Sequence, residues 1–202
     1  MSTAAPEREV TPMPAGEAHV DLDRLLRHTE LPETRISRRV DPAVRAIGRW
    51  SAWLWPALVL VITGNVLMRY VIGKGLIEFE ELQWHFYAAG FLLTLAWCLE
   101  ADAHVRIDVL SEHFAFRTRC WIELFGISFA LLPFLVFVAW YSVPFIHYSF
   151  SIHEVSEAPG GLPYRWVIKA FLLVSFLVLA TAAISRLTRV AAALFTRKRS
   201  AS

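Results

Sequence analysis

The chain has 202 residues, of which 56% are hydrophobic and 19% charged, with 8 Trp, a mean hydropathy of +0.46 and a formal net charge of +2. A soluble domain of this length carries about 25% charged residues, and here nearly all the charges lie between long apolar runs. This distribution excludes a soluble globular enzyme and a disordered chain, and the presence of only 2 Cys excludes a secreted disulfide scaffold. The sequence therefore predicts a small all-α membrane protein.

Four apolar runs are long enough to cross a bilayer, because a helix needs about 20 residues to cross about 30 Å of hydrocarbon. The predicted spans are residues 50–72, 76–99, 120–145 and 164–184. Residues 46–190 are accordingly predicted as one four-helix domain. Residues 1–45 are predicted as a cytoplasmic tail that is partly disordered or lies on the membrane surface, and residues 191–202 as a basic cytoplasmic tail.

The distribution of Lys and Arg predicts the orientation of the spans. Sixteen of the 20 basic residues lie before span one, between spans two and three, or after span four. Since cytoplasmic segments carry an excess of Lys and Arg, both termini are predicted to be cytoplasmic. Cys98 and Cys120 then lie at cytoplasmic span ends, where a reducing compartment predicts free thiols.

Two polar residues, Asn65 and Arg69, share one helical face near the outer end of span one. Arg69 can simply extend its charge to the interface. Alternatively it pairs with Glu80 or Glu81 across the short hairpin at residues 73–75, while Asn65 hydrogen-bonds a neighbouring helix. The sequence leaves both interpretations open.

The segment between spans two and three has the spacing of a short helix. Asp102 and Arg106, and likewise His104 and Asp108, are four residues apart, which places each pair on one helical face. We therefore predict an interfacial amphipathic helix that carries His104, Arg106 and Asp108. No metal site is expected, because the histidines lack the clustering of a tetrahedral site.

The segment between spans three and four carries a turn and several charges. Pro-Gly-Gly at residues 159–161 predicts the turn. Arg165 and Lys169 follow it at the beginning of span four, where the helix dipole disfavours cations, so a compensating group is expected. Glu154, Glu157, a lipid phosphate or another protein could each supply it.

The middle of every predicted span lacks an acidic residue, whereas an ion-coupled transporter that works alone would place carboxylates there. His85 and His147 lie near the outer interface without the second pair of histidines that a haem-binding bundle uses, so no cofactor is expected. Two alternatives stay open: a membrane-anchor subunit of a respiratory oxidoreductase, and an autonomous small antiporter. Neither composition nor charge indicates nucleic-acid binding.

An ordered set of motifs then points to one family. NVLMRY at 65–70, EELQWH at 80–85 and HVRIDVL at 104–110 resemble the small membrane subunit of tripartite ATP-independent periplasmic (TRAP) transporters. The stretch EVSEAPGGLPYRWVIKA at 154–170 resembles the branch of this family usually labelled mannitol/chloroaromatic.

The resemblance implies a non-enzymatic subunit in the bacterial inner membrane, for the ion-gradient-driven import of a small organic acid. Its implied partners are the lipid bilayer, a large membrane subunit of about twelve spans, and a periplasmic substrate-binding protein. We expect one group of residues to contact the large subunit or brace the outer hairpin, and a second to help dock the binding protein. The first group is Asn65, Arg69, Glu80 and Glu81, and the second is Glu154, Glu157, Arg165 and Lys169.

Overall fold

The computed structural model describes residues 31–101 and 116–196, and every regular element in these residues is helical. The helices are α1 (Ser37–Ser51), α2 (Leu54–Val71), α3 (Ile77–Glu100), α4 (Phe116–Phe125), a π-helical segment (Gly126–Leu131), α5 (Leu132–Ser151) and α6 (Trp166–Thr196). Four helical stretches are long and apolar enough to span a membrane, which confirms the predicted number of spans. They are Ser37–Val71, Ile77–Glu100, Phe116–Ser151 and Trp166–Phe195.

The bundle has two distinct ends. The terminal end is where α1 begins and α6 ends, and the loop end carries the short 72–76 connection and the longer 152–165 connection. All the helices belong to the unit that begins at Pro32. Residues 102–115 lie outside the described residues, and with them the predicted interfacial helix that contains His104, Arg106 and Asp108.

The helix of span one continues well beyond the apolar run that predicted it. Contacts join α1 to α3 along the length of α1, between Ser51 and Thr94, Gly48 and Trp97, and Arg45 and Glu100. The only interruption lies at Ala52 and Trp53, just before Pro56, which has no N–H to donate to the Ala52 carbonyl. Hydropathy detects only the part of this helix that is apolar on all sides, so the polar extension α1 is missed.

One face of α1 is buried although the helix is rich in arginine. Ser37, Asp41, Val44, Gly48 and Ser51 are all buried and recur every three or four residues, as one helical face requires. The beginning of the helix is fixed by a reciprocal pair of bonds. The Thr34 N–H donates to Ser37 Oγ at 2.9 Å, and the Ser37 N–H donates to Thr34 Oγ1 at 3.1 Å.

Helix α6 is the central element, because it packs against α1, α3, α4 and α5. Its buried Ala182 and Ala183 face the α3 side chains Ala96 and Leu99, so small residues allow the helices to approach closely. Helix α2, by contrast, packs mainly on α3 and leaves large apolar side chains such as Leu60 exposed. Such a surface is suited to lipid or to a second membrane protein.

Span three changes its helical pitch in the middle. Pro133 is the second residue after the π-helical segment and supplies no N–H to the Phe129 carbonyl, which accounts for the local widening. The described helix extends from Phe116 to Ser151, several residues beyond both ends of the predicted span at 120–145.

Candidate functional site

At the loop end, one carboxylate joins helix α3 to the connection between α5 and α6. Glu81 Oε1 accepts a hydrogen bond from Ser156 Oγ, and Glu81 Oε2 accepts one from the Leu162 N–H at 2.6 Å. The Ser156 N–H in turn donates to the Leu162 carbonyl at 3.3 Å. Ser156 and Leu162 are thus the two ends of one turn, and Glu81 bonds to both of them.

The turn at residues 156–162, which we call the outer turn, lies too close to α3 to accommodate a larger residue at Gly161. A Cβ atom on Gly161 would lie 2.4 Å from Ser156 Cβ and 2.9 Å from Glu81 Oε1. Gly160 has a φ of +82°, a conformation that glycine adopts without strain. The Pro-Gly-Gly pattern therefore reflects both a turn, as predicted, and a close approach between the turn and the helix.

The compensation expected for Lys169 comes from Glu154. The Lys169 ammonium pairs with Glu154 Oε2 and lies 4.0 Å from the centre of the Phe145 ring. The Arg165 N–H donates to the Glu154 carbonyl at 3.3 Å, so Glu154 is bonded to the beginning of α6 through its backbone as well. The ion pair is largely shielded, since the side chains of Lys169 and Glu154 are 14% and 22% exposed.

This pair makes the Glu154 carboxyl more acidic. The hydrogen bond from Lys169, together with the charge of Arg165, lowers the pKa of Glu154 below its ordinary value. A carboxyl whose pKa is lowered by folding stabilises the folded state above its unfolded pKa, and this stabilisation is lost as the pH falls through the folded value. The ion pair is therefore intact at neutral pH.

The second connection at the loop end contains the residues predicted to brace the hairpin. Asn65 is buried, and its Oδ1 accepts a hydrogen bond from the Leu76 N–H at 3.3 Å. Its partner therefore lies in its own hairpin. Arg69 and Glu80 are exposed, and within the described residues the Arg69 guanidinium makes no ion pair with Glu80 or Glu81.

The predicted docking residues differ in their availability. Glu154 and Lys169 are occupied by each other, and Arg165 is half-buried beside them. Glu157 is exposed at the outer turn and forms no ion pair with any residue that the structure describes. It is therefore the acidic side chain of this group that is available for an external partner.

The terminal end contains a buried polar cluster formed by Asp41, Glu123, Ser185, Arg186 and Arg189. Arg186 is 5% exposed, pairs with Glu123 Oε1 and donates from Nη1 to the Leu99 carbonyl at 3.2 Å. Asp41, 6% exposed, accepts from Ser185 Oγ at 2.6 Å and from Arg189 Nη1 at 3.4 Å. This terminal-end cluster joins α1, α3, α4 and α6 through charges that are shielded from water.

The sequence analysis did not identify the partners of Glu81 or the partners within the terminal-end cluster. Nothing in the local sequence links Glu81 to Ser156 and Leu162, because these contacts join residues 75 and 81 positions apart. One signal was available at the terminal end. Asp41 lies at a helical spacing from Val44 and Gly48, which places it on the same face of the helix. A carboxylate buried on that face requires a basic or hydroxyl partner.

Comparison with known proteins supplies one finding. The family model described as the DctQ component of tripartite ATP-independent periplasmic transporters matches residues 58–193. No curated protein and no solved structure matches the chain significantly. The matched region includes most of α2, all of α3 and both connections of the loop end.

Proposed function

Because the chain belongs to the DctQ component family, the small membrane subunits of tripartite ATP-independent periplasmic transporters, we propose that it supports a large permease subunit during solute import. The observation that carries this proposal is the family match over four membrane-spanning helices. In this account the large subunit contains the solute and ion sites, and the small subunit widens its footprint in the bilayer. The system imports a small organic acid with an ion gradient, and the 154–170 stretch supports the mannitol/chloroaromatic branch.

The loop end then faces the periplasm and both termini face the cytoplasm. This orientation is supported by the excess of Lys and Arg at the terminal end, which the positive-inside rule assigns to the cytoplasm. It also brings the outer turn to the side on which a periplasmic binding protein approaches.

We assign the contact with the large subunit to α2 and the hairpin after it. Helix α2 packs mainly on α3, and its outer surface carries exposed Leu67 and Arg69 beside large apolar residues. An arginine at the edge of an apolar face gives a membrane interface a directional polar contact.

Arg69→Ala should therefore reduce the amount of large subunit that co-purifies with the tagged chain, because the truncation removes an exposed group without removing an internal contact. The measurement compares subunit ratios after affinity purification in mild detergent. Arg39→Ala, which removes an exposed cation at the terminal end and outside the assigned surface, is the control. Recovery of the large subunit at the wild-type ratio with Arg69→Ala would exclude this assignment.

We assign the docking of the binding protein to the outer turn, with Glu157 as its free charge. An exposed rim charge acts mainly on the rate and salt dependence of association. Glu157→Lys should raise the half-saturating concentration of binding protein for the assembled membrane complex by about threefold or more at low ionic strength, with a smaller effect in high salt.

The same charge change at the other end of the bundle is the matched control. Glu33 is exposed at the terminal end, so Glu33→Lys alters the net charge equally without altering the outer turn. Docking elsewhere would be indicated if Glu157→Lys and Glu33→Lys gave the same binding curve as the wild-type complex.

A further inference from the structure

The outer turn is not held to the bundle by its own residues alone. Within the turn only neutral hydrogen bonds form: the Ser156 N–H donates to the Leu162 carbonyl at 3.3 Å, the Ala158 N–H to Ser156 Oγ at 3.3 Å, and the Gly161 N–H to the Ala158 carbonyl at 2.9 Å. Its sequence contains Ala158, Pro159 and two glycines, so the turn has few side-chain atoms that could pack against the helices. A turn of this composition needs an external anchor to keep one conformation, because ordering each residue costs conformational entropy.

Glu81 provides that anchor from a rigid position. It lies in the first turns of α3, a 24-residue helix, so its backbone is fixed by the bundle. Its two oxygens accept from the two ends of the outer turn, one from a hydroxyl and one from a backbone N–H. Hydrogen bonds to an ionised carboxylate are stronger than neutral ones, and two bonds to one group also fix the orientation of the turn.

Two further observations show that the fit between the turn and α3 is specific. Gly161 approaches Ser156 and Glu81 so closely that a methyl group has no room. The neighbouring acid, Glu80, is exposed, and its carboxylate forms no hydrogen bond or ion pair within the described residues. Of the two adjacent glutamates, only Glu81 therefore has a role in the turn.

We propose that Glu81 is a positioning residue, which holds the outer turn in the conformation that presents Glu157 to the periplasmic binding protein. This inference rests on the docking role proposed above. It reassigns Glu81 from a brace of the 72–76 hairpin to an anchor of the outer turn. It also separates the two charges in function: Glu157 contacts the partner, and Glu81 acts through the turn.

The test uses Glu81→Gln in the assembled complex, with Glu80→Gln as the matched control. The glutamine keeps the size of the side chain but loses the charge and presents an amide N–H₂ to one of the two donors. Loss of such a bond should raise the half-saturating concentration of binding protein by about tenfold. The maximal amount of binding protein bound should stay unchanged, since each complex still binds when the partner is saturating.

A second measurement follows the turn itself. With Cys98 and Cys120 replaced by serine, an Ala158→Cys reporter should react faster with a water-soluble maleimide when Glu81→Gln is added, and at an unchanged rate when Glu80→Gln is added. Gly161→Ala should reproduce the effect of Glu81→Gln while the Glu81 carboxylate itself is kept. Gly126→Ala should have no effect, because the Cβ added there meets no neighbouring atom within 4 Å.

The outcomes separate this inference from the docking proposal. Unchanged maleimide rates with Glu81→Gln and Gly161→Ala would overturn the anchoring role. If Glu157→Lys weakens binding but Glu81→Gln does not, docking stands and the positioning role fails. If both variants bind like the wild type, docking fails and the positioning role fails with it. A lower maximal amount bound at an unchanged half-saturating concentration would show that Glu81 serves only assembly, which also contradicts the proposal.

Discussion

Replacing Arg186 by alanine should lower the free energy of unfolding by about 3–5 kcal/mol, the range observed when one partner of a buried ion pair is removed. The substitution leaves the Glu123 carboxylate partly buried without this cation, and it also removes the donor to the Leu99 carbonyl. Leu99 lies in the last turn of α3, where carbonyls have no partner within the helix. Helices α3, α4 and α6 would therefore lose a shared contact.

Reversible unfolding of the purified subunit in mixed micelles, titrated with a denaturing detergent, measures this effect. Arg38→Ala is the control, because the Arg38–Glu33 pair has the same chemistry but both of its side chains are 71% exposed. An exposed pair contributes about 0–1 kcal/mol. The double variant Arg186→Met, Glu123→Gln should recover part of the loss, because it removes both charges of this pair while the Leu99 carbonyl still lacks its donor. Equal losses for Arg186→Ala and Arg38→Ala would show that the terminal-end cluster is not a core element.

Gly48→Ala should destabilise the subunit by about 1–3 kcal/mol, because it overpacks a closed contact. A Cβ on Gly48 would lie 2.6 Å from Trp97 Cγ and 2.7 Å from Trp97 Cβ, and both atoms are fixed close to the α3 backbone. The clash can be relieved only by moving α1 away from α3. That movement would also separate Arg45 from Glu100 and loosen the bonds of Asp41 to α6.

Gly64→Ala is the matched control for this prediction. Gly64 lies in the same span with no atom within 4 Å of its would-be Cβ, so the added methyl group meets open space. In a helix interior, replacing glycine by alanine should stabilise by about 0.5–1 kcal/mol through the backbone entropy alone. The two variants should thus shift the thermal unfolding midpoint, followed by Trp fluorescence, in opposite directions. A Gly48→Ala midpoint at or above that of the wild type would contradict the close contact between α1 and α3.

The spans could be predicted from the sequence because the hydrocarbon imposes a length and a composition. The predicted and observed bounds agree best for span two, which was predicted at 76–99 and is found at Ile77–Glu100. Glycines before this helix and acidic residues at both of its ends mark where the apolar run begins and ends. It is poorest for span one, because α1 is polar by composition and becomes helical through burial of one face. The burial of Asp41 depends on Ser185, which is 144 residues away.

The candidate site could be predicted from the sequence only where a charged residue lies at a position that requires an oppositely charged partner. Lys169 near the beginning of a helix required an acid, and Glu154 supplies it. The bond from Leu162 to Glu81 was not predictable, because a backbone N–H carries no sequence signal. One of the two open interpretations placed Asn65 against a neighbouring helix, and its partner is the Leu76 N–H, at the N-cap of α3 where the hairpin ends. The presence of an asparagine alone does not indicate whether its side chain bonds to the middle of a neighbouring helix or to the backbone of the hairpin.

The central claim is that this chain assists transport and does not itself carry solute. The most direct test is uptake into proteoliposomes of a radiolabelled organic acid that the purified binding protein retains, with an inward sodium gradient and the binding protein outside. Vesicles that contain both membrane subunits should accumulate the acid, and vesicles that contain this chain alone should match empty vesicles. Gradient-dependent uptake by the chain alone would contradict the account.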